Sequence, residues 1–361
     1  MDALSGDAIN KLADILSIEN LRKVQDAGGR TWNKTMATHV NNRFELRAMV
    51  YLTEQETCGI APCNGRVMLC TKKAKYSGSK KKPRYYPWNL KDKHFARISH
   101  LIIEGRPLQT KALPGQDGSQ QGVLIKPSPY NFRHVTSAGG VEWHRCVPED
   151  IDTVQRILRV PTTRSRYGDP SYLSIHEPPP DQRLYVKKIL SSLPKSFETI
   201  HFTQVSDQQE FLAEMVGLFA DDRQLKDLKI QNCDVDASLL QPLARIFTTP
   251  RHDHLDIRVY NCRCCHPGIL FGASQLDQIV EAWKKSKKED AEHQKTILLP
   301  FDMDDWDILY DKYEHKPLRH MEENCVVRHP SGKSQLKLSH YDPSTIEISV
   351  VRYSRKRRHT R

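Results

Sequence analysis

The residues best suited to metal chemistry are two groups of closely spaced cysteines. A structural zinc site usually draws its ligands from two pairs separated by a loop, because four ligands must reach tetrahedral geometry. Neither group is followed by a second pair at such a spacing. The groups are Cys262, Cys264, Cys265 and His266, and Cys58, Cys63 and Cys70. We therefore predict no metal ion and no other cofactor.

Three histidines, His144, His176 and His201, lie on predicted strands, where they could approach one another as an acid–base or metal-binding group. Exposed histidines on a binding surface explain the same pattern without catalysis. The chain contains no phosphate-binding loop, no G-x-G-x-x-G and no G-x-S-x-G motif. The sequence thus predicts a protein that is not an enzyme.

The strands that carry these histidines belong to a pattern that recurs along the chain. The segment beginning at Leu225 reads L-x-x-L-x-I-x-x-C, and four other segments have mostly apolar residues at the same positions. A helical pattern follows each of them. The segments begin at Ala138, Pro170, Phe197, Leu225 and His254, so that successive starts are 32, 27, 28 and 29 residues apart. This spacing predicts repeated strand–helix units.

One such unit cannot bury its apolar residues alone, whereas stacked units share a core with strands on one side and helices on the other. The arrangement resembles the leucine-rich repeat, whose signature is L-x-x-L-x-L-x-x-N/C. We therefore predict an α/β fold, with a leucine-rich-repeat-like strand–helix array preceded by a small helical unit and a short antiparallel β segment. An ordinary α/β domain with evenly spaced units is the alternative.

Residues at positions five and seven of each unit should point away from the shared core. They form a polar stripe of mixed charge, which indicates a surface that recognises a protein; a merely solvated sheet is the alternative. The predicted partner-binding residues are Glu142, His144, His176, His201, Lys229, Gln231, Arg258 and Tyr260.

Residues 4–40 predict three short helices with more apolar side chains than so small a unit can bury. Their sequence resembles a degenerate F-box, whose pattern is Leu-Pro, an Ile-Leu pair, a leucine helix and Arg-x-Trp. Ser5 stands where the family usually has proline. The matching residues are Leu4, Ile15, Leu16, Leu21, Arg30 and Trp32.

The resemblance extends to a group of nematode F-box-type proteins with repeat-like C-terminal halves, through residues 85–98 and 326–339. It implies that the helices bind the Skp adaptor of a cullin–RING ubiquitin ligase and that the C-terminal half captures the substrate. A helical cap that binds no adaptor is the alternative. The implied adaptor-binding residues are Leu4, Ile15, Leu16, Leu21 and Trp32.

The alternation of residues 44–103 predicts a small antiparallel sheet. Basic and aromatic residues between Lys72 and Arg84 could contact nucleic acid, but a solvated hairpin loop explains them more simply, and we do not expect nucleic acid as a partner of this loop. The predicted domains are an F-box-like unit (1–43), the β segment (44–103), a linker or long loop (104–130), the repeat-like domain with a C-terminal β cap (131–353) and a basic tail (354–361).

The 361-residue chain has a net charge of +11, which favours acidic partners. Because it shows no signal-peptide pattern and no bilayer-spanning apolar run, we expect no membrane partner. Nine cysteines fit reduced thiols in a cytoplasmic or nuclear protein.

The leading hypothesis is a non-catalytic substrate receptor of a cullin–RING ligase. The alternative is a stand-alone repeat-type protein that binds an acidic protein or nucleic acid.

Overall fold

The chain forms an α/β structure with two compact units, Met1–Pro194 and Lys195–Arg361. The predicted α/β class is confirmed. The boundary between the units lies inside the predicted repeat-like domain 131–353. The computed structural model describes residues 5–16, 18–52, 66–75, 86–88, 91–105, 130–135, 141–165, 168–194, 196–205, 209–250, 254–260, 270–287, 293–317 and 323–352.

Three short helices open the first unit: α1 (Gly6–Ile15), α2 (Ile18–Ala27) and α3 (Arg30–Asn42). The side chain of Ser5 caps α1 by accepting a hydrogen bond from the Ala8 N–H at 3.3 Å. The three predicted helices are therefore present. They enclose a small core of their own, formed by Ile9, Ala13, Leu21, Trp32 and Met36.

The buried side chain of Arg43 fixes the end of this helical unit. Its guanidinium donates hydrogen bonds to the carbonyl oxygens of Ala13 and Leu16, so a cation satisfies the C-terminus of α1. On the last turn of α3, the His39 ring contacts the Phe95 ring edge to face, with centroids 5.5 Å apart. These contacts tie α1 to α3, and α3 to the segment that precedes the strand at Ala96.

The strands of the first unit form a mixed sheet. They are β1 (Phe44–Leu52), β2 (Arg66–Lys75), β3 (Tyr86–Pro87), β4 (Ala96–Gly105), β5 (Tyr130–Val135), β6 (Val141–Asp150) and β7 (Tyr172–His176). Their order is β7–β4–β1–β2–β6–β5, and β3 pairs with β2. β4 runs parallel to β1 and to β7, whereas β1–β2, β2–β6 and β5–β6 are antiparallel.

Two predictions about this sheet are wrong. Residues 44–103 do not form a purely antiparallel sheet, because β1 and β4 pair in parallel along their whole lengths. The repeat predicted at Ala138 does not stack beside the one at Pro170, because β2, β1 and β4 lie between β6 and β7. The alternation of a strand indicates which of its residues are buried but not which strand will pair with it.

Helices α4 (Ile151–Leu158) and α5 (Arg183–Ser192) complete the first unit, where the helical patterns predicted them. Asp150 caps α4 by accepting a hydrogen bond from the Thr153 N–H at 2.8 Å. That hydrogen bond lowers the pKa of the Asp150 carboxyl.

The second unit is built on parallel strands that follow one another in chain order: β8 (Thr199–Thr203), β9 (Asp227–Gln231), β10 (Leu255–Tyr260) and β11 (Lys295–Pro300). Their apolar residues align across the sheet, and the aligned residues Ile200, Leu228, Ile257 and Ile297 are all buried. Helices α6 (Gln209–Gly217), α7 (Leu240–Thr248), α8 (Ala273–Lys285) and α9 (Trp306–Lys312) follow these strands in turn. The predicted strand–helix alternation is present here, and β11 with α9 is a further pair that the sequence analysis missed.

An antiparallel meander closes the second unit: β12 (Glu314–Pro317), β13 (Glu323–Arg328), β14 (Ser334–Asp342) and β15 (Thr345–Arg352). The predicted C-terminal strand pair, joined by a third strand, is confirmed. β15 also pairs antiparallel with β11. The edge that β11 would otherwise expose is therefore occupied.

One lysine is buried where β11 begins. Lys295 is 1% exposed, and its Nζ donates to the carbonyl oxygens of Phe247 at 2.6 Å and Thr249 at 3.1 Å. These carbonyl groups lie at the C-terminus of α7, where a cation is favoured by the helix dipole. The contact therefore fixes the start of β11 against the end of α7.

The turns that follow three of the parallel strands share one backbone conformation. Glu177, Gln204 and Asn232 each come one residue after a strand and have φ values of 45°, 53° and 52°. This left-handed conformation is uncommon for residues other than glycine. The N–H of Gln204 donates to the Gln231 carbonyl, and the N–H of Asn232 to the Tyr260 carbonyl, both at 3.0 Å. In the second unit the turns thus continue the ladder beyond the strand ends.

Replacing Gln204 by glycine tests this turn. The left-handed conformation costs a non-glycine residue about 1–2 kcal/mol, whereas glycine loses about 0.5–1 kcal/mol through its freedom in the unfolded chain. We expect Gln204→Gly to raise the free energy of unfolding by up to about 1 kcal/mol. Gln231→Gly, in extended backbone, should lower it by about 0.5–1 kcal/mol. Urea denaturation measures the free energy of unfolding of both variants. If the two changes destabilise the chain equally, the backbone at Gln204 is not left-handed.

Candidate functional site

The candidate functional site is the outward side of β8–β11 and β15, which we call the strand face. On β9, Leu228 and Ile230 are buried, whereas Lys229 and Gln231 between and after them are half-buried. β8 and β10 alternate in the same way, because successive side chains of a strand point to opposite sides. The strand face consists of Thr199, His201, Thr203, Asp227, Lys229, Gln231, Asp256, Arg258, Tyr260, Thr296, Leu298, Thr345, Glu347 and Ser349.

Two rows of side chains run across the strand face. The first row contains His201, Lys229, Arg258, Leu298 and Glu347, each opposite the next on the neighbouring strand. The second row contains Thr203, Gln231 and Tyr260. Five of the predicted partner-binding residues are therefore neighbours on one surface: His201, Lys229, Gln231, Arg258 and Tyr260.

Each cation of the first row is paired with an aspartate of its own strand. Lys229 Nζ lies 3.0 Å from Asp227 Oδ2, and Arg258 Nε donates to Asp256 Oδ2 at 2.9 Å. The hydrogen bond with Asp256 raises the pKa of the Arg258 guanidinium. Pairs as exposed as these add little to stability, but they cancel charge locally. The strand face is therefore polar without being strongly basic.

A groove of about 290 Å³ opens on the strand face at β10, β11 and β15. Leu298, which is 9% exposed, lies between Arg258 and Glu347 in the first row. Tyr341 of β14 borders the groove and is 60% exposed. The groove therefore combines an apolar side chain, an aromatic ring and charged groups.

The other three predicted partner-binding residues lie in the first unit. His176 is the half-buried last residue of β7. Glu142 and His144 lie on β6, where their backbones pair with His134 and Phe132 of β5. Because β2, β1 and β4 separate β6 from β7, the prediction of one continuous stripe through Glu142, His144 and His176 is wrong.

The predicted adaptor-binding residues divide between core and surface. Leu21 is 0% and Trp32 is 3% exposed, so in this conformation both hold the helices together and offer no surface to an adaptor. Leu16 is half-buried and packs against the same core. Leu4 lies outside the described residues, and only the backbone of Ile15, at the end of α1, is described. Among the members whose side chains the structure describes, Leu16 is thus the one that a partner can reach.

A buried cluster in the first unit has the residue types of an acid–base site. Ser99 Oγ donates to Glu45 Oε1 at 2.6 Å and lies 2.9 Å from His100 Nδ1. Arg47 Nε lies 3.4 Å from the same Glu45 oxygen. Ser99 and Glu45 are both 0% exposed, so a substrate cannot reach them in this conformation. A buried carboxylate needs hydrogen-bond donors, and Ser99 and Arg47 supply them to Glu45.

Among the described residues, no group of three or more histidine, cysteine, aspartate or glutamate side chains is arranged to hold a metal ion. The clusters considered in the sequence are largely beyond this part of the chain. Residues 53–65 with Cys58 and Cys63, the loop at 76–85, and residues 261–269 with Cys262, Cys264, Cys265 and His266 lie outside the described ranges.

Leu298, Tyr341 and Glu347 also belong to this surface, and the repeat pattern did not predict them. The alternation of Ile297 and Leu299, both buried, is the signal that could have identified β11 as a strand of the array. The position of Glu347 had no comparable signal, because it depends on the pairing of β15 with β11.

Compared with known proteins, the chain matches no family model, no curated protein and no solved structure. None of the described helices has the length and apolar character needed to cross a lipid bilayer. The functional interpretation therefore depends on the strand face and on the N-terminal helices.

The buried cluster predicts a pH dependence of stability. Burial, with the nearby charge of Arg47, lowers the pKa of His100 from 6.5 to about 4. Between these values the unfolded chain binds the proton that the folded chain does not, so stability falls as the pH falls from about 6.5 to about 4. We expect His100→Gln to reduce this slope by up to about 1.4 kcal/mol per pH unit.

Urea denaturation across this pH range measures the slope for the wild type and the variant. His254→Gln replaces an exposed histidine and is the matched control, which should leave the slope unchanged. An identical slope for wild type and His100→Gln would show that the His100 ring is not held neutral by burial.

Proposed function

We propose that the chain is a non-catalytic receptor that binds a protein partner on its strand face. The observation that carries this proposal is the register of β8–β10, which aligns His201, Lys229 and Arg258 on one surface. Tyr260 and Tyr341 add exposed aromatic rings to the same unit. Tyrosine and arginine, together with tryptophan, are enriched among the side chains that anchor protein interfaces. A polar surface with these anchors and a groove suits a segment of another protein.

We interpret the second unit as leucine-rich-repeat-like. In support, the segments starting at Phe197, Leu225 and His254 are 28 and 29 residues apart, and their strands pair in matching register. Their ninth positions are also linked, since the Val205 N–H donates to Cys233 Sγ at 3.4 Å. Burial raises the pKa of Cys233 to about 12, so this thiol packs and hydrogen-bonds rather than reacts. Stacked repeats of this kind provide an extended surface for partners.

We further propose that the receptor presents its partner to a cullin–RING ubiquitin ligase through a Skp-type adaptor bound by α1–α3. The support is the F-box resemblance of these helices together with their compact core around Leu21 and Trp32. A set of apolar side chains packs against this core while remaining partly exposed: Leu12, Leu16, Val24 and Val40. Such a partly exposed apolar rim suits an adaptor, because binding would complete its burial.

Replacing Leu16 by glutamate tests the adaptor role. We expect the new charge to weaken binding to a Skp-type adaptor by about tenfold or more, because the charge would be desolvated without a partner at the interface. Surface plasmon resonance with the purified adaptor measures the dissociation constant. Lys34→Glu introduces a carboxylate at an exposed position of α3. It is the matched control and should change binding by about twofold or less.

A third variant separates lost contact from lost folding. Trp32→Ala should destabilise the helical core by about 3–5 kcal/mol and abolish adaptor binding through unfolding, whereas Leu16→Glu should keep a wild-type helical circular dichroism signal. Wild-type protein that binds no adaptor contradicts the ligase role. So does a folded Leu16→Glu variant that binds as well as the wild type.

Co-purification from cell extract tests the strand face separately. Arg258→Glu removes the pair with Asp256 and places two carboxylates together on the strand face, so we expect it to lose proteins that bind there. The adaptor should remain bound, because Arg258 lies in the second unit. An unchanged list of co-purified proteins contradicts the strand-face receptor.

A further inference from the structure

Glu347 is unusual among the charged residues of the groove. Asp256 and Arg258 form a hydrogen-bonded ion pair with each other. Within the part of the chain that the structure describes, the Glu347 carboxylate has no hydrogen-bond or ion-pair partner. On β14, Ser339 lies opposite Glu347, and Lys337 lies opposite Ser349 instead. The groove therefore contains one carboxylate whose charge is not compensated by a direct contact.

The surroundings of Glu347 are suited to a long side chain. Leu298 is its neighbour in the first row and separates it from Arg258. Tyr341 borders the same groove and presents most of its ring to solvent. A carboxylate beside an aliphatic surface and an aromatic ring complements a lysine or arginine, whose carbon stem packs while its charged end is bonded.

The size of the groove limits what can occupy it. Its volume of about 290 Å³ lies just below the range for small-molecule sites, roughly 300–1,000 Å³. The groove therefore suits one long side chain rather than a cofactor. The paired Arg258 leaves little free positive charge for an anion, so charge complementarity favours a cationic occupant.

We propose that this groove binds a lysine or arginine side chain of a protein partner, with Glu347 accepting its hydrogen bonds and Tyr341 packing against its stem. The inference rests on the proposed strand-face receptor and adds the chemistry of the segment that is recognised. It also runs against the net charge of the chain, which by itself favours acidic partners.

Synthetic peptides that differ in one central residue test the proposal. The probes are short peptides of leucine and serine, labelled with a fluorophore, whose central residue is arginine, lysine, glutamine or glutamate. Fluorescence polarisation with the full chain measures their affinities. We expect the arginine and lysine peptides to bind about tenfold more tightly than the glutamine peptide, and the glutamate peptide to bind most weakly.

Two variants assign this preference to the groove. Glu347→Gln should reduce the affinity for the arginine peptide to that for the glutamine peptide, and Tyr341→Ala should weaken the arginine peptide about threefold or more. Glu210→Gln makes the same chemical change at an exposed position of α6 and should alter nothing. Thermal melts establish that each variant is folded.

Three results would overturn the proposal: no peptide binds, the arginine and glutamine peptides bind equally, or the preference survives Glu347→Gln. These failures are distinguishable from failure of the receptor role. If Arg258→Glu still loses co-purified proteins while the peptides show no charge preference, the strand face binds partners but the groove does not select a cation. If neither experiment finds a partner, both proposals fail.

Discussion

The burial of one apolar row in the second unit is the constraint on which the strand face depends. Ile200, Leu228 and Ile257 are aligned and buried, and each such side chain contributes about 1.5–3 kcal/mol through its removal from water. Side chains alternate along a strand, so a slip of one residue would bury the polar row and expose the apolar one. The core therefore sets the positions of the binding residues, and the hydrogen-bonded turns at Gln204 and Asn232 reinforce the register.

The same competition between core and surface applies to the N-terminal helices. The resemblance to an F-box selects Leu21 and Trp32 by residue type and spacing, and the structure uses both in the core. A buried leucine and an interface leucine have the same identity in the sequence, because both are apolar residues on one side of a helix. The partly exposed Leu16 is thus the more informative residue for binding, whereas Trp32 is informative for folding.

Because of local ion pairs, the charge of the strand face differs from that of the whole chain. The chain carries a net charge of +11, yet Lys229 and Arg258 are each bonded to an aspartate of their own strand. These i, i+2 pairs follow from strand geometry, since residues two apart lie on the same side. Glu347 lies on β15, which runs antiparallel to β11. No oppositely charged residue lies two positions away from it on that strand. The strand face therefore carries an uncompensated negative charge at Glu347, although the net charge of the whole chain is positive.

The sequence by itself determined the elements whose cause is local: the three N-terminal helices, the strand–helix alternation from Phe197 to Lys285 and the C-terminal hairpin all follow from periodicity within a few residues. It also placed His201, Lys229, Gln231, Arg258 and Tyr260 on one surface, because they occupy positions five and seven of the predicted strand–helix units. Only the tertiary structure decided that β4 pairs with β1 and β7, that β6 lies elsewhere in the sheet, and that β15 brings Glu347 beside Leu298. These pairings join segments that are distant in the chain, and the periodicity of one strand carries no information about its neighbour.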